Sequence, residues 1–136
     1  MTKPKPLLRI TRHVIAFVWI FHGFYSKLLD GVPRHRLIVE RILGEGIGGP
    51  ATLAVGVLEI CLGIWIFTGW RKIPAAAVQT LAIVSMNTLE ILLARDLLIS
   101  APGMVALNSA FLAVIWWWAL SREPSGSIPV ARDHSR

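Results

Sequence analysis

The stretch ATLAVGVLEICLGIWIFTGW, from Ala51 to Trp70, is twenty residues long and carries a single charge, Glu59. As an α-helix it would extend about 30 Å, which is the thickness of the hydrocarbon core of a bilayer. It has no polar face, unlike a helix on the surface of a soluble protein. Because a carboxylate in lipid is costly, we expect Glu59 to point into a helix bundle. Gly56 and Gly63 share its helical face and would let a second helix approach closely.

Three further apolar runs indicate the same kind of element. Together the four runs predict transmembrane spans at approximately residues 14–29, 50–70, 74–95 and 102–120. Between the first two spans, PRHRLIVERIL (Pro33 to Leu43) places apolar and charged side chains on opposite sides of a helix. This pattern is typical of a short amphipathic helix on the membrane surface. The sequence therefore predicts an all-α integral membrane protein, a four-helix up-down bundle with one surface helix.

The limits of this bundle follow from turn-forming and polar segments. GEGIGGP, from Gly44 to Pro50, predicts a flexible connection, after which Pro50 opens the second span. The basic start of the chain precedes an apolar run without a small-residue cleavage site, so we interpret the first span as a retained anchor. Ser121 to Arg136 is polar and contains two prolines, which predicts a disordered tail. Residues 1–120 would then form a single transmembrane domain.

The composition agrees with a membrane protein and argues against several other classes. The 136-residue chain is 54% hydrophobic and 16% charged, and its mean hydropathy is +0.61. Its net charge of +6 does not indicate nucleic-acid binding, because the basic residues flank the apolar runs and form no single patch. Cys61 is the only cysteine, which excludes an intramolecular disulfide and a CxxC redox pair. The histidines lack metal-ligand spacing, so we expect no metal site.

The distribution of basic residues predicts the orientation. With four spans, the N-terminal segment, the turn after the second span and the C-terminal segment share one side of the membrane. That side carries nine of the 14 lysines and arginines, and the other side carries five. The positive-inside rule then places both termini in the cytoplasm. The expected location is the inner (plasma) membrane of a bacterium.

Polar residues within the spans lie at similar depths on all four helices. Because the helices alternate in direction, five of these residues fit within roughly 10 Å of depth, and a lysine follows about one and a half turns beyond the first of them. The candidate ligand- or proton-binding residues are His22, Lys27, Glu59, Asn87, Glu90 and Asn108. The residues proposed to line the same pocket are Trp19, Gly23, Gly56 and Gly63.

This constellation has a functional and a structural interpretation. The functional one is a membrane-embedded pocket for protons, a quinone or another small ligand. Because a carboxylate inside a membrane is costly, the functional interpretation is favoured for Glu59 and Glu90. The structural one is an interhelical hydrogen-bond network, which is favoured for Asn87 and Asn108 taken alone.

The expected charge partners follow from depth. We expect the ammonium group of Lys27 to extend to the membrane surface, although its depth matches that of Glu90. His22 is the candidate cation nearest in depth to Glu59, and the two would form a titrating pair. His35, in the predicted surface helix, either closes the mouth of the pocket or faces lipid headgroups, and we expect the second.

Four segments of the chain resemble the DoxX-like membrane proteins. These segments are FVWIFHGFYSKLL, PRHRLIVERILG, GVLEICLGIWIFTGWR and NTLEILLARDLLISAPGMVALN, and the similarity covers about residues 10–120. The most specific signals are the W-x-x-H-G-x-x-x-K run from Trp19 to Lys27, the central Glu59 with Gly63, and the P-G-x-x-x-x-N segment from Pro102 to Asn108.

The resemblance implies a four-helix membrane bundle. The family takes its name from a small membrane subunit associated with a thiosulfate:quinone oxidoreductase, and relatives are linked to oxidoreductases and to epimerase-like domains. Some remote four-helix relatives handle disulfides through paired cysteines, for which this chain has only Cys61. Function is inherited weakly here, because a fold does not fix an activity.

Three functions fit these observations, and membrane lipid is a partner in each. The first is a membrane subunit or accessory of a redox system, whose pocket takes a quinone and whose electrons come from a soluble or membrane oxidoreductase partner. In it Glu59, His22 and Glu90 carry protons, while Asn87 and Asn108 orient a carbonyl oxygen. The second is a small proton-coupled carrier, which with only four spans would have to form a homo-oligomer. The third is a non-catalytic membrane anchor or assembly factor whose polar residues only set packing.

Overall fold

The computed structural model describes residues 5–122, and the regular secondary structure of this part of the chain is all helical, without a strand. Its five α-helices are α1 (Lys5–Phe21), α2 (Pro33–Leu43), α3 (Glu45–Thr68), α4 (Lys72–Leu93) and α5 (Ala101–Leu120). A π-helix, His22–Leu28, continues α1, and a 3-10 turn, Arg95–Leu97, follows α4. Four helices are long and apolar enough to cross a membrane: α1 with its π-helical extension, α3, α4 and α5. The all-α prediction and the four apolar spans are thus confirmed.

The start of the second span differs from the sequence prediction. The segment GEGIGGP is not a flexible connection, because α3 begins at Glu45 and contains Pro50 in its interior. Gly48 is buried in this segment, and a β-carbon there would overlap the backbone and side chain of Glu40 in α2. The missing side chain therefore lets α2 pack directly on the first turns of α3. That contact orders a segment whose glycine content alone suggested flexibility.

The first span is also longer than predicted. The apolar helix runs over Pro6–Leu28, so the basic residues Arg9 and Arg12 belong to the helix and do not precede it. The other two spans begin and end within two residues of their predicted limits. The predicted tail, apart from Ser121 and Arg122, lies outside the described residues.

The four long helices pack as two pairs, α1 along α3 and α4 along α5. Gly63 allows the first pair to approach closely, since a β-carbon there would overlap the side chain of Ile20 and crowd the carbonyl oxygen of Ala16. The buried core comes from α1, from α4 up to its middle, and from the last halves of α3 and α5. Its members are Leu8, Ile15, Ala16, Trp19, Leu62, Ile66, Ala75, Ala76, Ile83, Ile115, Trp118 and Ala119. The remaining helix halves meet at the other end, where α2 contacts α3, α4 and the π-helix.

Candidate functional site

A cavity of about 620 Å³ lies between the two helix pairs at the end where α2 packs. Its volume falls within the range of small-molecule sites, roughly 300 to 1,000 Å³. The wall includes residues from α1, the π-helix, α2, α3, α4, α5 and the connection before α5. Most of it is apolar, with side chains such as Ile38, Ile83, Met86, Leu107 and Phe111. The charged and amide side chains and the histidines in the wall are His22, Lys27, Arg34, His35, Glu59, Asn87, Glu90 and Asn108.

The cavity brings together all six residues that the sequence indicated as ligand- or proton-binding candidates. Of the four residues proposed to line it, only Trp19 does so. Gly23, Gly56 and Gly63 lie instead where the first helix meets α3. Their role is therefore close helix packing, which places the polar residues without contacting a ligand.

The strongest polar interaction in the cavity wall joins Lys27 to Glu59. Lys27 Nζ donates to both carboxylate oxygens of Glu59, at 2.9 Å and 2.8 Å. The two residues are only 5% and 6% exposed, respectively. The expectation that Lys27 extends to the membrane surface is wrong, and so is the pairing of Glu59 with His22. Each charge here is compensated by the other, which offsets part of the cost of placing either in an apolar medium.

The π-helix explains why Lys27 faces inward. Its hydrogen bonds run from residue i to residue i+5, so successive side chains turn through a smaller angle than in an α-helix. A depth estimate that assumes α-helical winding therefore misplaces residues near the end of this segment. Two glycines bring the π-helix against α3: a β-carbon on Gly23 would overlap the carbonyl oxygen of Gly56, and one on Gly56 would crowd Leu28 and Lys27. Lys27 thereby reaches the carboxylate one turn further along α3.

A second polar contact joins α4 to α5. Asn108 Nδ2 donates to Asn87 Oδ1 at 2.7 Å, and both side chains are half-buried in the cavity wall. Asn87 Nδ2 makes no hydrogen bond with another described residue. The pair thus holds two helices together and still presents an amide donor to the cavity.

Two histidines lie face to face in the wall. The rings of His22 and His35 are stacked with centroids 6.0 Å apart and planes 23° apart. Burial lowers the pKa of His35 from 6.5 to about 4, with further lowering by the charges of Lys27, His22 and Arg34. His35 Nδ1 is buried and has no hydrogen-bond partner among the described residues. His35 therefore belongs to the cavity, and the expectation that it faces lipid headgroups is wrong.

Arg34 and Glu90 are the charged residues of the wall that remain unpaired. Both are half-buried, and within residues 5–122 neither forms an ion pair or a hydrogen bond. Arg34 Nε is buried without a partner. The sequence did not single out Arg34, because it lies in a helix that was assigned to the membrane surface. Its position two residues before Arg36 on an amphipathic helix gave no signal that the two arginines face different surroundings.

The tryptophan in the cavity wall is held by a hydrogen bond to Gln79, a residue that does not line the cavity. Trp19 Nε1 donates to Gln79 Oε1 at 2.8 Å, and Gln79 Nε2 donates to the carbonyl oxygen of Ala75 at 3.1 Å. Gln79 is fully buried. On the cavity side, the Trp19 ring lies 6.5 Å from that of Phe111, centroid to centroid. The two rings form an aromatic section of wall with a set orientation.

Residues 16–116 match the DoxX-like family. The chain belongs to the DoxX-like family. No curated protein and no solved structure matches it. The matched range extends beyond the first and last cavity-lining residues, Val18 and Phe111, so the whole cavity lies within the family region. With its four long apolar helices, this DoxX-like protein is an integral membrane protein.

Proposed function

We propose that this DoxX-like protein is a membrane subunit of a redox system and that its cavity binds a quinone-type ligand. The observation that carries the proposal is the division of one cavity into a large apolar wall and a cluster of polar groups. A quinone has the matching chemistry, with a flat apolar ring, two oxygens that take part in hydrogen bonds, and an apolar tail. Small-molecule sites generally combine apolar walls with a few well-placed polar groups in this way.

Specific groups suit such a ligand. Trp19 and Phe111 offer aromatic faces to a planar ring. Asn87 Nδ2 and the His22 ring supply hydrogen-bonding groups that no other described residue engages. The Lys27–Glu59 pair has a supporting role in this proposal, because its charges already satisfy one another. A soluble or membrane oxidoreductase partner would exchange electrons with the bound ligand.

The proposal includes a membrane arrangement. The four apolar helices form an up-down bundle in the inner membrane of a bacterium, with α2 at the surface and both termini in the cytoplasm, as the nine-to-five basic bias favours. The cavity then lies in the half of the membrane away from the cytoplasm. A cysteine placed at Ser127 in a Cys61→Ala background should be labelled from the cytoplasmic side. Preferential labelling from the outside would mean that the orientation is inverted.

Ligand retention tests the proposed function directly. Mass spectrometry of protein purified gently from a quinone-containing membrane should detect a retained quinone in the wild type. Met86→Trp should lose most of it, because the larger side chain fills the cavity from α4. Val84→Trp is the matched control, since Val84 is exposed on the same helix and does not line the cavity. Absence of retained quinone, together with no binding of added decylubiquinone, would end the proposal.

The two alternative functions predict other results. A carrier would produce proton-coupled flux in liposomes, which a redox subunit would not. An anchor or assembly factor would support its partner equally well after Met86→Trp, because a filled cavity leaves the outer surface unchanged.

A further inference from the structure

The polar groups of the cavity fall into two sets. Lys27 and Glu59 satisfy each other in an ion pair, and Asn108 donates to Asn87. Arg34 and Glu90 form no hydrogen bond or ion pair in the described chain, and the rings of His22 and His35 form no hydrogen bond there. A ligand in the cavity would therefore meet its strongest available partners in the second set.

Arg34 and Glu90 reach the cavity from different helices. Arg34 is on α2 and Glu90 is on α4. Both side chains line the same cavity, and they form no ion pair with each other. A ligand group in this cavity is therefore free to bond to both. An unpaired carboxylate in an apolar medium is costly, so a ligand that pairs it gains affinity.

The hydrogen-bonding chemistry of these two side chains is restrictive. A guanidinium can only donate, and an ionised carboxylate can only accept. A bridging group must therefore both accept and donate, as a hydroxyl does. A carbonyl oxygen satisfies the guanidinium but places a second acceptor against the carboxylate.

We propose that the Arg34–Glu90 pair makes the cavity selective for a hydroxyl-bearing ring, the reduced quinol in preference to the oxidised quinone. In this arrangement the O–H of the quinol donates to the Glu90 carboxylate, and its oxygen accepts from Arg34. This inference rests on the proposed function, since it names the redox form of the ligand that the same cavity binds. Glu59 is not the carboxylate that distinguishes quinol from quinone, because both of its oxygens already accept hydrogen bonds from Lys27 Nζ.

Binding of decylubiquinol and decylubiquinone to the full-length purified protein at pH 7 tests the inference. The wild type should bind the quinol at least about tenfold more tightly, which corresponds to one hydrogen bond to a charged group. Glu90→Gln should remove that preference, because an amide can donate to the carbonyl of the quinone. Glu45→Gln is the matched control, since Glu45 is exposed at the start of α3 and does not line the cavity; it should keep the wild-type preference.

A second variant keeps the test decisive if Glu90→Gln does not fold. Arg34→Met changes a residue outside the apolar spans and should weaken binding of both forms, because either oxygen can accept from the guanidinium. Unchanged affinity for the quinol in this variant would overturn the inference. Equal binding of the two forms by the wild type, or tighter binding of the quinone, would overturn it and leave the proposed function standing. If neither form binds, both the inference and the proposed function fail.

Discussion

The two ends of the bundle both contain buried polar groups, but they use them differently. At the packed end, Gln79 has partners on its oxygen and its nitrogen, and Trp116 Nε1 donates to Thr80 Oγ1 at 2.9 Å. At the cavity end, Lys27 and Glu59 are paired, yet charged groups beside them stay unpaired. Buried polar groups with a full set of partners are sufficiently explained by helix packing. Arg12 Nε at the packed end is also buried without a partner among the described residues, but the unpaired groups at the cavity end line a space that a ligand can fill.

The largest effect should come from separating Lys27 and Glu59. Lys27→Met leaves a buried carboxylate without its cation, and we expect a loss of about 3–5 kcal/mol in the free energy of unfolding. The double variant Lys27→Met/Glu59→Leu should recover much of that loss, since no charge is then buried. Unfolding in mixed micelles with increasing dodecyl sulfate measures both. If Lys27→Met is as stable as the wild type, the pair does not hold the cavity end together.

Close packing of the first helix on α3 should give the next largest effect. Gly23→Ala adds a methyl group that overlaps the carbonyl oxygen of Gly56, and we expect a loss of about 1–3 kcal/mol. Gly46→Ala is the control, because a β-carbon there meets no atom within 4 Å; it should be neutral or slightly stabilising. The same unfolding measurement compares the two alanines. Equal stabilities would show that the glycine contact does not fix the position of the π-helix.

A substitution at the packed end should affect stability and leave ligand binding alone. Thr80→Val removes the acceptor of Trp116 Nε1, and neither residue lines the cavity; we expect a loss of about 0.6 kcal/mol, the average measured for hydrogen bonds between membrane helices. Affinity for decylubiquinol should stay at the wild-type value. A loss of affinity comparable to that of Glu90→Gln would mean that the two ends are not separate in function.

A separate effect should be a pH dependence of stability due to His35. Its pKa is about 4 in the folded protein and 6.5 in the reference state, so between these values the unfolded chain binds a proton that the folded chain does not. Stability should therefore fall as the pH drops from 6.5 to 4. His35→Phe should flatten part of this slope in thermal unfolding scans. An identical slope in His35→Phe would place the effect on another group.

The fold was predictable because hydropathy acts over whole segments. Runs of about twenty apolar residues have few alternatives to a membrane-spanning helix, so the four spans follow from composition and length. The segment from Gly44 to Pro50 was mispredicted for a local reason. Its glycines suggested flexibility, whereas Gly48 serves to admit Glu40 of α2. A glycine can make the backbone flexible, or it can allow another helix to pack closely against it. Which of these applies depends on a tertiary contact that cannot be read from the sequence.

The cavity was predictable only in part. The cost of a carboxylate in lipid indicated an interior Glu59, and Glu59 is indeed buried. Its partner was missed, because depth along an ideal α-helix favoured His22 over Lys27. Arg34 was missed, and His35 was assigned to the headgroups rather than to the pocket mouth, for a related reason: an amphipathic helix beside a membrane looks like a surface element even when one side of it lines a cavity. Side chains brought together across different elements leave little periodic signal.

The π-helix also predicts where single residues can be inserted or deleted in related chains. A turn with i to i+5 hydrogen bonds takes up one more residue than an α-helical turn. Loss of one exposed residue there, such as Tyr25, would return the segment to α-helical winding while Trp19 and α2 keep their places. Single-residue insertions and deletions among relatives should therefore concentrate between His22 and Leu28, each accompanied by a change in the side chain that faces Glu59.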